Sequence, residues 1–252
     1  MSARVSFVVP AFNEEALLPR TLAAIQRAIS RTGCSAEIIV VNNASTDGTG
    51  GVARQFPGVR VVDEPVKGLV RARQAGFLAA EGDLIANIDA DTILPDAWLP
   101  QVIAAFADNP KLVALSGPYN YYDVPRHVNL MVRLFYIAGY GVNLVNRLLL
   151  GVDSMLQGGN FVVRRSALEA IGGYSADFSF YGEDTDLARR LNAAGEVRWT
   201  FALGAGSSGR RLQVEGLFRT GARYALNFLW ATYFRRPFTQ GWSDLRQNPF
   251  SP

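Results

Sequence analysis

The 252 residues include one cysteine and one histidine. Cys34 alone excludes an intramolecular disulfide and fits a reducing compartment. His127 alone cannot build a histidine-rich metal site, and nothing around Cys34 suggests a paired nucleophile. No G-x-G-x-x-G follows the first apolar run and no G-x-x-x-x-G-K-[ST] occurs, so dinucleotide and P-loop readings lose their phosphate loops. Long apolar runs are also missing. The charge-free stretch 134–146 has 13 residues, short of the roughly 20 that a membrane span needs, so no spanning helix is expected. Val5–Val9 is too short for the apolar core of a signal peptide, and Pro10 and Asn13 follow it.

What is present is a greasy, weakly charged chain. It is 49% hydrophobic and 19% charged, with a mean hydropathy of +0.08. That excludes a disordered chain, and the length fits one large domain or two small ones. The net charge of +3 is too small to argue for nucleic acid, which is not expected as a partner. Its distribution is uneven. Residues 1–126 carry 11 Lys+Arg against 13 Asp+Glu, while 127–252 carry 14 against 9. From Arg198 onward there are eight arginines and two acids, mixed with Phe, Trp and Tyr. Taken alone, such a tail can mean nucleic acid or an anionic membrane surface, and the small net charge favours the second.

The first half alternates strands and helices. Apolar runs at Val5–Val9, Glu37–Val41, Val59–Asp63, Leu84–Ile88 and Val113–Gly117 read as buried strands. Helical periods cover Glu14–Ile29, Val52–Phe56, Leu69–Glu81 and Leu94–Asp108. The alternation predicts an α/β fold with a mostly parallel central sheet flanked by helices. Further strands are expected at Asn160–Val163 and Val197–Phe201, and helices at Ser166–Ile171 and Glu183–Ala194. Two segments differ. Val128–Leu150 carries a narrow polar stripe of Asn129, Arg133, Tyr136, Tyr140, Asn143 and Arg147 on an otherwise apolar helix. Glu215–Phe234 repeats the pattern with Glu215, Arg219, Arg223 and Asn227.

Ligands of open α/β sheets sit at the carboxyl ends of the strands. Three polar clusters fall there: Pro10–Glu15, Asn42–Gly48 and Asp89–Asp91. Asp89 and Asp91, split by one small residue, can share a hard divalent cation with substrate phosphates. Lys67, Arg71 and Arg73 can neutralise phosphate. Gly158 and Gly159 before Asn160 allow close backbone approach. Glu183, Asp184 and Asp186 open a helix, as caps or as a general base.

In order, VSFVVPAFNEE, EIIVVNNASTDGT, KGLVRARQAG, GDLIANIDADT, GGNFVVRRSALEAIGGY and GEDTDLARRL resemble the family 2 glycosyltransferases of GT-A fold. The resemblance runs from about Val5 to Leu191 and implies a nucleotide-diphosphate sugar donor with inversion at the sugar carbon. It implies one GT-A domain over 1–252: a nucleotide-sugar half 1–117, an acceptor half 118–200 holding the amphipathic helix 128–150, and a basic, aromatic tail 201–252. Carried over by motif, Pro10, Phe12, Asn13 and Glu14 line the nucleotide pocket, and Asn42 or Asn43 stands where the family usually has a base-reading aspartate. Asp89 lies near ribose and sugar, and Asp91 binds the Mn2+ or Mg2+ that bridges the diphosphate. Gly158, Gly159, Asn160 and Glu183 belong to the acceptor side. Asp184 is the implied base, although the sequence does not separate it from Glu183 and Asp186.

Three features depart from the pattern. The turn is Asn-Asn-Ala-Ser rather than Asp-Asp-Gly-Ser, so uracil preference does not follow. No late histidine occurs in 197–211, leaving Ser207, Ser208 or water to replace that metal ligand. The Q/R-x-x-R-W motif of processive synthases is absent, with Arg210-Arg211 the nearest remnant. The expected activity is a single, inverting transfer to an acceptor hydroxyl or phosphate that is lipid-linked or membrane-adjacent. The expected location is the cytoplasmic side, peripheral on the inner face of the cell membrane, in cell-envelope chemistry. The alternative is a catalytically weak member that binds a sugar nucleotide or lipid.

Overall fold

A computed structural model describes residues 4–239 and 241. Seven strands form one sheet: β1 (Val5–Ala11), β2 (Ala36–Asn43), β3 (Val59–Glu64), β4 (Leu84–Ile88), β5 (Leu112–Ser116), β7 (Asn160–Arg164) and β8 (Glu196–Trp199). Their order is β3-β2-β1-β4-β7-β5-β8. β7 runs antiparallel to both neighbours, and every other pairing is parallel. The α/β sheet expected from the sequence is therefore present, with one reversed strand. Two three-residue strands, β6 (Tyr119–Tyr121) and β9 (Ala205–Ser207), pair in parallel as a second small sheet.

Helices cover both faces. α1 (Leu18–Thr32) and α4 (Trp98–Asp108) press Leu18, Leu22, Ile25, Trp98 and Val102 against Val5, Phe7 and Val9 of β1. α3 (Leu69–Ala79), α6 (Arg165–Ala170) and α7 (Glu183–Leu191) press Val70, Phe77, Leu168 and Leu187 onto the other face, against Val8, Ile39 and Val41. Each such fully buried aliphatic side chain contributes about 1.5–3 kcal/mol. α2 (Thr49–Gln55) closes the β2–β3 crossover.

Helix starts lag the expected ones, for local reasons. α1 begins at Leu18 rather than Glu14, with a proline in its first turn. Asn13 takes a left-handed φ of 51°, and the Glu14 amide donates to Thr49 Oγ1 at 2.8 Å. The 12–15 loop is thereby tied to the turn after β2. α4 starts at Trp98 because Pro95 interrupts the chain, and its carbonyl accepts from the Trp98 amide at 3.0 Å.

The two striped segments are α5 (Arg126–Leu150) and α9 (Leu217–Phe234), the latter preceded by α8 (Arg210–Glu215). In both, much of the polar stripe faces the protein and the apolar remainder faces out. On α5, Tyr136, Asn143 and Asn146 are buried, whereas Leu148 and Leu149 are 75% and 77% exposed. Asn129 bonds both the amide and the carbonyl of Tyr121, Asn143 accepts from the Ser154 amide, and Asn146 accepts from Tyr233 Oη. On α9, Asn227 is buried and accepts from the amides of Phe238 and Thr239, while Phe218 is 79% exposed. One expectation needs correcting. α5 has 25 residues and is apolar enough, by length and composition, to cross a membrane. The count of charge-free residues missed this because Arg133 and Arg147 interrupt the run without ending the helix.

Part of the basic tail is consumed internally. Arg198 pairs with Glu196, Arg210 with Glu14 and Asp91, and Arg211 and Arg223 with Glu215. Arg219, Arg235 and Arg236 are exposed. Residues 240 and 242–252 of the expected tail, including Asp244 and Arg246, lie outside the described residues.

Candidate active site

The carboxyl ends of β1, β2 and β4 meet at one cavity of about 680 Å³. Pro10, Phe12, Glu14, Asn43, Lys67, Arg73, Asp89, Asp91, Gly158, Glu183 and Asp184 all line it. Eleven residues singled out from the sequence thus converge from six chain segments. The cavity continues between α5 and α9, past Met131, Phe135, Val142, Leu217 and Phe228. One end is ringed by carboxylates and the other by hydrocarbon.

Five other candidates stay outside the cavity lining. Asn13 bonds the Thr46 amide and hydroxyl. Asn42 donates to Asp63 Oδ1 at 2.8 Å. Arg71 is on the exposed face of α3. Gly159 supports Asp89 from behind: its φ is +79°, and a Cβ there would overlap the Asp89 carboxylate. Asn160 is fully buried. Its Oδ1 accepts from Trp98 Nε1 and its Nδ2 donates to the carbonyls of Gly117 and Leu203, each at 2.9 Å. That side chain ties α4, β5 and the turn before β9 together beneath the floor. Of the two base-reading candidates, Asn43 lines the cavity, and it shapes the 64–68 turn by accepting from the Gly68 amide at 2.7 Å.

The carboxylates fall into two groups. Arg73, 1% exposed, joins the first: it pairs with Glu183 and reaches Asp89 Oδ1 at 3.4 Å. Burial pushes Glu183 up to about 7, against the opposing pull of Arg73. Burial would lower Arg73 itself, but Glu183 and Asp89 outweigh it and hold the guanidinium charged. Asp184 accepts from the amides of Gly158 at 3.0 Å and Thr185 at 2.8 Å. Its carboxyl is raised by burial and held back by those amides. Asp186 is bound to Arg189 and Arg190 on its own helix and does not line the cavity.

The second group is Asp91 with Glu14 and Arg210. Arg210 reaches Glu14 Oε1 at 2.5 Å and Asp91 Oδ2 at 2.9 Å. Burial raises Asp91 to about 6, with Arg210 pulling down and Glu14 and Asp89 pushing up. Ser207 Oγ lies 3.5 Å from Asp91 Oδ1. Among the described residues no group of three or more His, Cys, Asp or Glu could hold a metal ion. One carboxylate beside a hydroxyl still fits Mn2+ or Mg2+, which typically complete their shells with substrate phosphates and water.

Sequence reasoning missed Arg210 and Tyr119. Tyr119 Oη lies 3.3 Å from Asp89 Oδ2 and 3.0 Å from the Gly158 carbonyl, joining the ends of β4 and β7 across the cavity. The Arg210-Arg211 pair was visible only as a remnant of another motif. Nothing local to it points to Asp91, 119 residues earlier.

Comparison with known proteins bears on the family and the fold. The family model "Glycosyl transferase family 2" matches residues 6–172, a span that ends before α7. The probable glycosyltransferase YdaM of Bacillus subtilis is 28% identical over 201 residues, covering 75% of this chain and 46% of that protein. The undecaprenyl-phosphate 4-deoxy-4-formamido-L-arabinose transferase of Aeromonas hydrophila is 33% identical over 107 residues, covering 40% of this chain and 33% of that protein. The chain thus spans less than half the length of either relative. Among solved structures, the mannosyltransferase PcManGT of Pyrobaculum calidifontis, in complex with GDP-Man and Mn2+, superposes with a TM-score of 0.63 at 22% identity, covering 89% of this chain and 65% of that one. The glucosyl-3-phosphoglycerate synthase of Mycobacterium tuberculosis, in complex with Mn2+ and UDP-glucose, gives 0.62 at 22% identity, covering 91% and 79%. With its GT-A sheet and a family model that matches most of its length, the chain belongs to glycosyl transferase family 2.

Proposed function

We propose that this enzyme makes a single, inverting transfer of a sugar from a nucleotide diphosphate to a lipid-linked phosphate or hydroxyl at a membrane surface. The observation that carries this reading is the single cavity joining the carboxylate ring to the apolar cleft between α5 and α9. A water-soluble acceptor has no use for such a cleft, whereas a lipid tail fits it. The undecaprenyl-phosphate transferase among the relatives supports a lipid phosphate.

Residues 1–117 hold the donor in this reading, and 118–200 with α9 hold the acceptor. Pro10, Phe12, Asn43 and Lys67 bound the nucleotide end, where Lys67 Nζ lies 3.8 Å from the centre of the Phe12 ring. Arg73 keeps Asp89 and Glu183 in fixed positions. Asp91 and Ser207 hold the divalent ion, which supplies Lewis-acid stabilisation of the leaving diphosphate when bound. Asp184 faces the acceptor and takes the proton of a hydroxyl, or of a phosphate in its monoanionic form, as the new bond to the anomeric carbon forms and the bond from that carbon to the diphosphate breaks. Its raised basicity suits that role, and its two backbone donors fix its orientation. Glu183, tied to Arg73, serves as a positioning carboxylate. Single rather than processive transfer is supported by the missing Q/R-x-x-R-W motif.

The exposed apolar faces of α5 and α9 support a contact with the bilayer. α5 is pinned to the domain along its length by Asn129, Tyr136, Asn143 and Asn146. A helix held that way lies in the interface rather than crossing it. Arg219, Arg235 and Arg236 then meet anionic headgroups on the cytoplasmic leaflet.

Asp184→Asn tests the chemistry. Transfer is expected to vanish while donor binding, followed by thermal shift across a panel of GDP and UDP sugars with Mn2+ or Mg2+, is kept. Surviving transfer overturns the assignment of the base. Donor binding with no turnover in the unaltered enzyme, for every donor and lipid acceptor tried, favours a binding protein instead.

A further inference from the structure

The turn after β9 is clamped from a distance. Asp123 Oδ2 accepts from Ser208 Oγ at 2.6 Å, its Oδ1 accepts from the Gly209 amide at 2.5 Å, and its carbonyl accepts from Gln213 Nε2 at 2.7 Å. A side chain at Gly209 would run into Val124. The clamp starts α8 at Arg210 and aims that guanidinium back across the cavity.

There it bridges two carboxylates from separate strand ends. Arg210 Nη2 lies 2.5 Å from Glu14 Oε1, after β1, and 2.9 Å from Asp91 Oδ2, after β4. The side chains of Glu14 and Asp91 are 2% and 12% exposed. Charge-assisted bonds in so enclosed a place are strong, and a guanidinium fork suits carboxylate oxygens better than an ammonium does. The Asp91 oxygen that Arg210 holds is one a divalent ion would need.

We propose that Arg210 is a resident cation of the donor site that competes with the divalent ion for Asp91. The ion then enters when the donor diphosphate, a better partner for a guanidinium fork, draws Arg210 off the carboxylates. Cation and nucleotide binding are coupled through this one side chain. The inference rests on Asp91 being the metal ligand, as proposed above.

Mn2+ binding without nucleotide tests it, read as loss of the free-ion electron paramagnetic resonance signal up to about 10 mM metal, a range that captures millimolar affinities. Arg210→Ala and the longer, neutral Arg210→Gln are both expected to bind Mn2+ roughly tenfold tighter than the unaltered protein. Adding Asp91→Asn to either removes the gain. Arg211→Ala, which removes the same charge one residue along but from a guanidinium paired with Glu215, leaves Mn2+ affinity unchanged. Thermal melts confirm that each variant is folded. Unchanged, weaker or unmeasurable Mn2+ binding in both Arg210 variants, with Asp91→Asn weakening it, overturns the competition and leaves Asp91 as ligand. Asp91→Asn binding Mn2+ like the unaltered protein overturns the ligand reading and the competition with it. An equal gain in Arg211→Ala reduces the effect to net charge and also overturns it.

Discussion

Replacing Leu134, Leu148 and Leu149 by serine should detach the enzyme from membranes without unfolding it. These residues are 57%, 75% and 77% exposed on the outer face of α5. Burying a leucine side chain fully is worth about 1.5–3 kcal/mol, so their exposed fractions correspond to about 1–2 kcal/mol each. Together they represent about 3–6 kcal/mol, an upper bound because an interfacial helix immerses only part of its circumference. A loss of roughly a hundredfold in vesicle partitioning is therefore expected. The assay is flotation with anionic vesicles at low and high salt, with a melting curve for each protein. High salt should weaken the part contributed by Arg219, Arg235 and Arg236 and leave the leucine part in place. Asn143→Leu provides the contrast. It adds hydrocarbon on the inner face, breaks the bonds to Ser154 and Asp153, and should lower stability without improving flotation. A triple serine variant that floats like the unaltered enzyme would refute the outward-facing apolar surface as a membrane contact.

Asn160→Ala should cost about 2–4 kcal/mol in urea unfolding, since it strands the buried Trp98 Nε1 and the carbonyls of Gly117 and Leu203. Gly159→Ala meets both a left-handed φ and the Asp89 carboxylate, so nucleotide affinity measured by calorimetry should fall at least tenfold. Glu183 titrates near 7 when folded, above its ordinary 4.5, so its ionisation opposes folding. Its contribution is complete below pH 4.5 and is lost as pH rises through 7. Relative to Glu183→Gln, the unaltered enzyme should therefore lose stability between pH 5 and 8, by on the order of 2–3 kcal/mol, in urea midpoints taken at each pH. A flat difference would contradict the raised value.

How much of this was legible depends on how local each feature is. Asp89 and Asp91 were legible because a five-residue apolar strand ends one residue before them. The α/β layering followed from buried runs alternating with helical periods. The direction of β7 was not, because an apolar run looks the same read either way along the sheet. β6 and β9 are three residues each, too short to show a period. The stripes of α5 and α9 were visible, but not the side they turn to the protein. Asn143, Asn146 and Asn227 face inward because donors elsewhere in the chain bond their Oδ1 atoms. Asn160 read as part of an acceptor floor beside two glycines, yet its bonds go to α4, β5 and the turn before β9. Arg210 escaped because its two carboxylates lie 196 and 119 residues away.

The most direct test of the central claim is to incubate the enzyme with radiolabelled sugar nucleotides, Mn2+ and vesicles carrying a polyprenyl phosphate, then partition the label between water and organic solvent. The account predicts label in the organic phase with one donor, lost in Asp184→Asn and reduced in the triple serine variant. Label that stays in water, as free sugar or on a soluble acceptor supplied alongside, would contradict it.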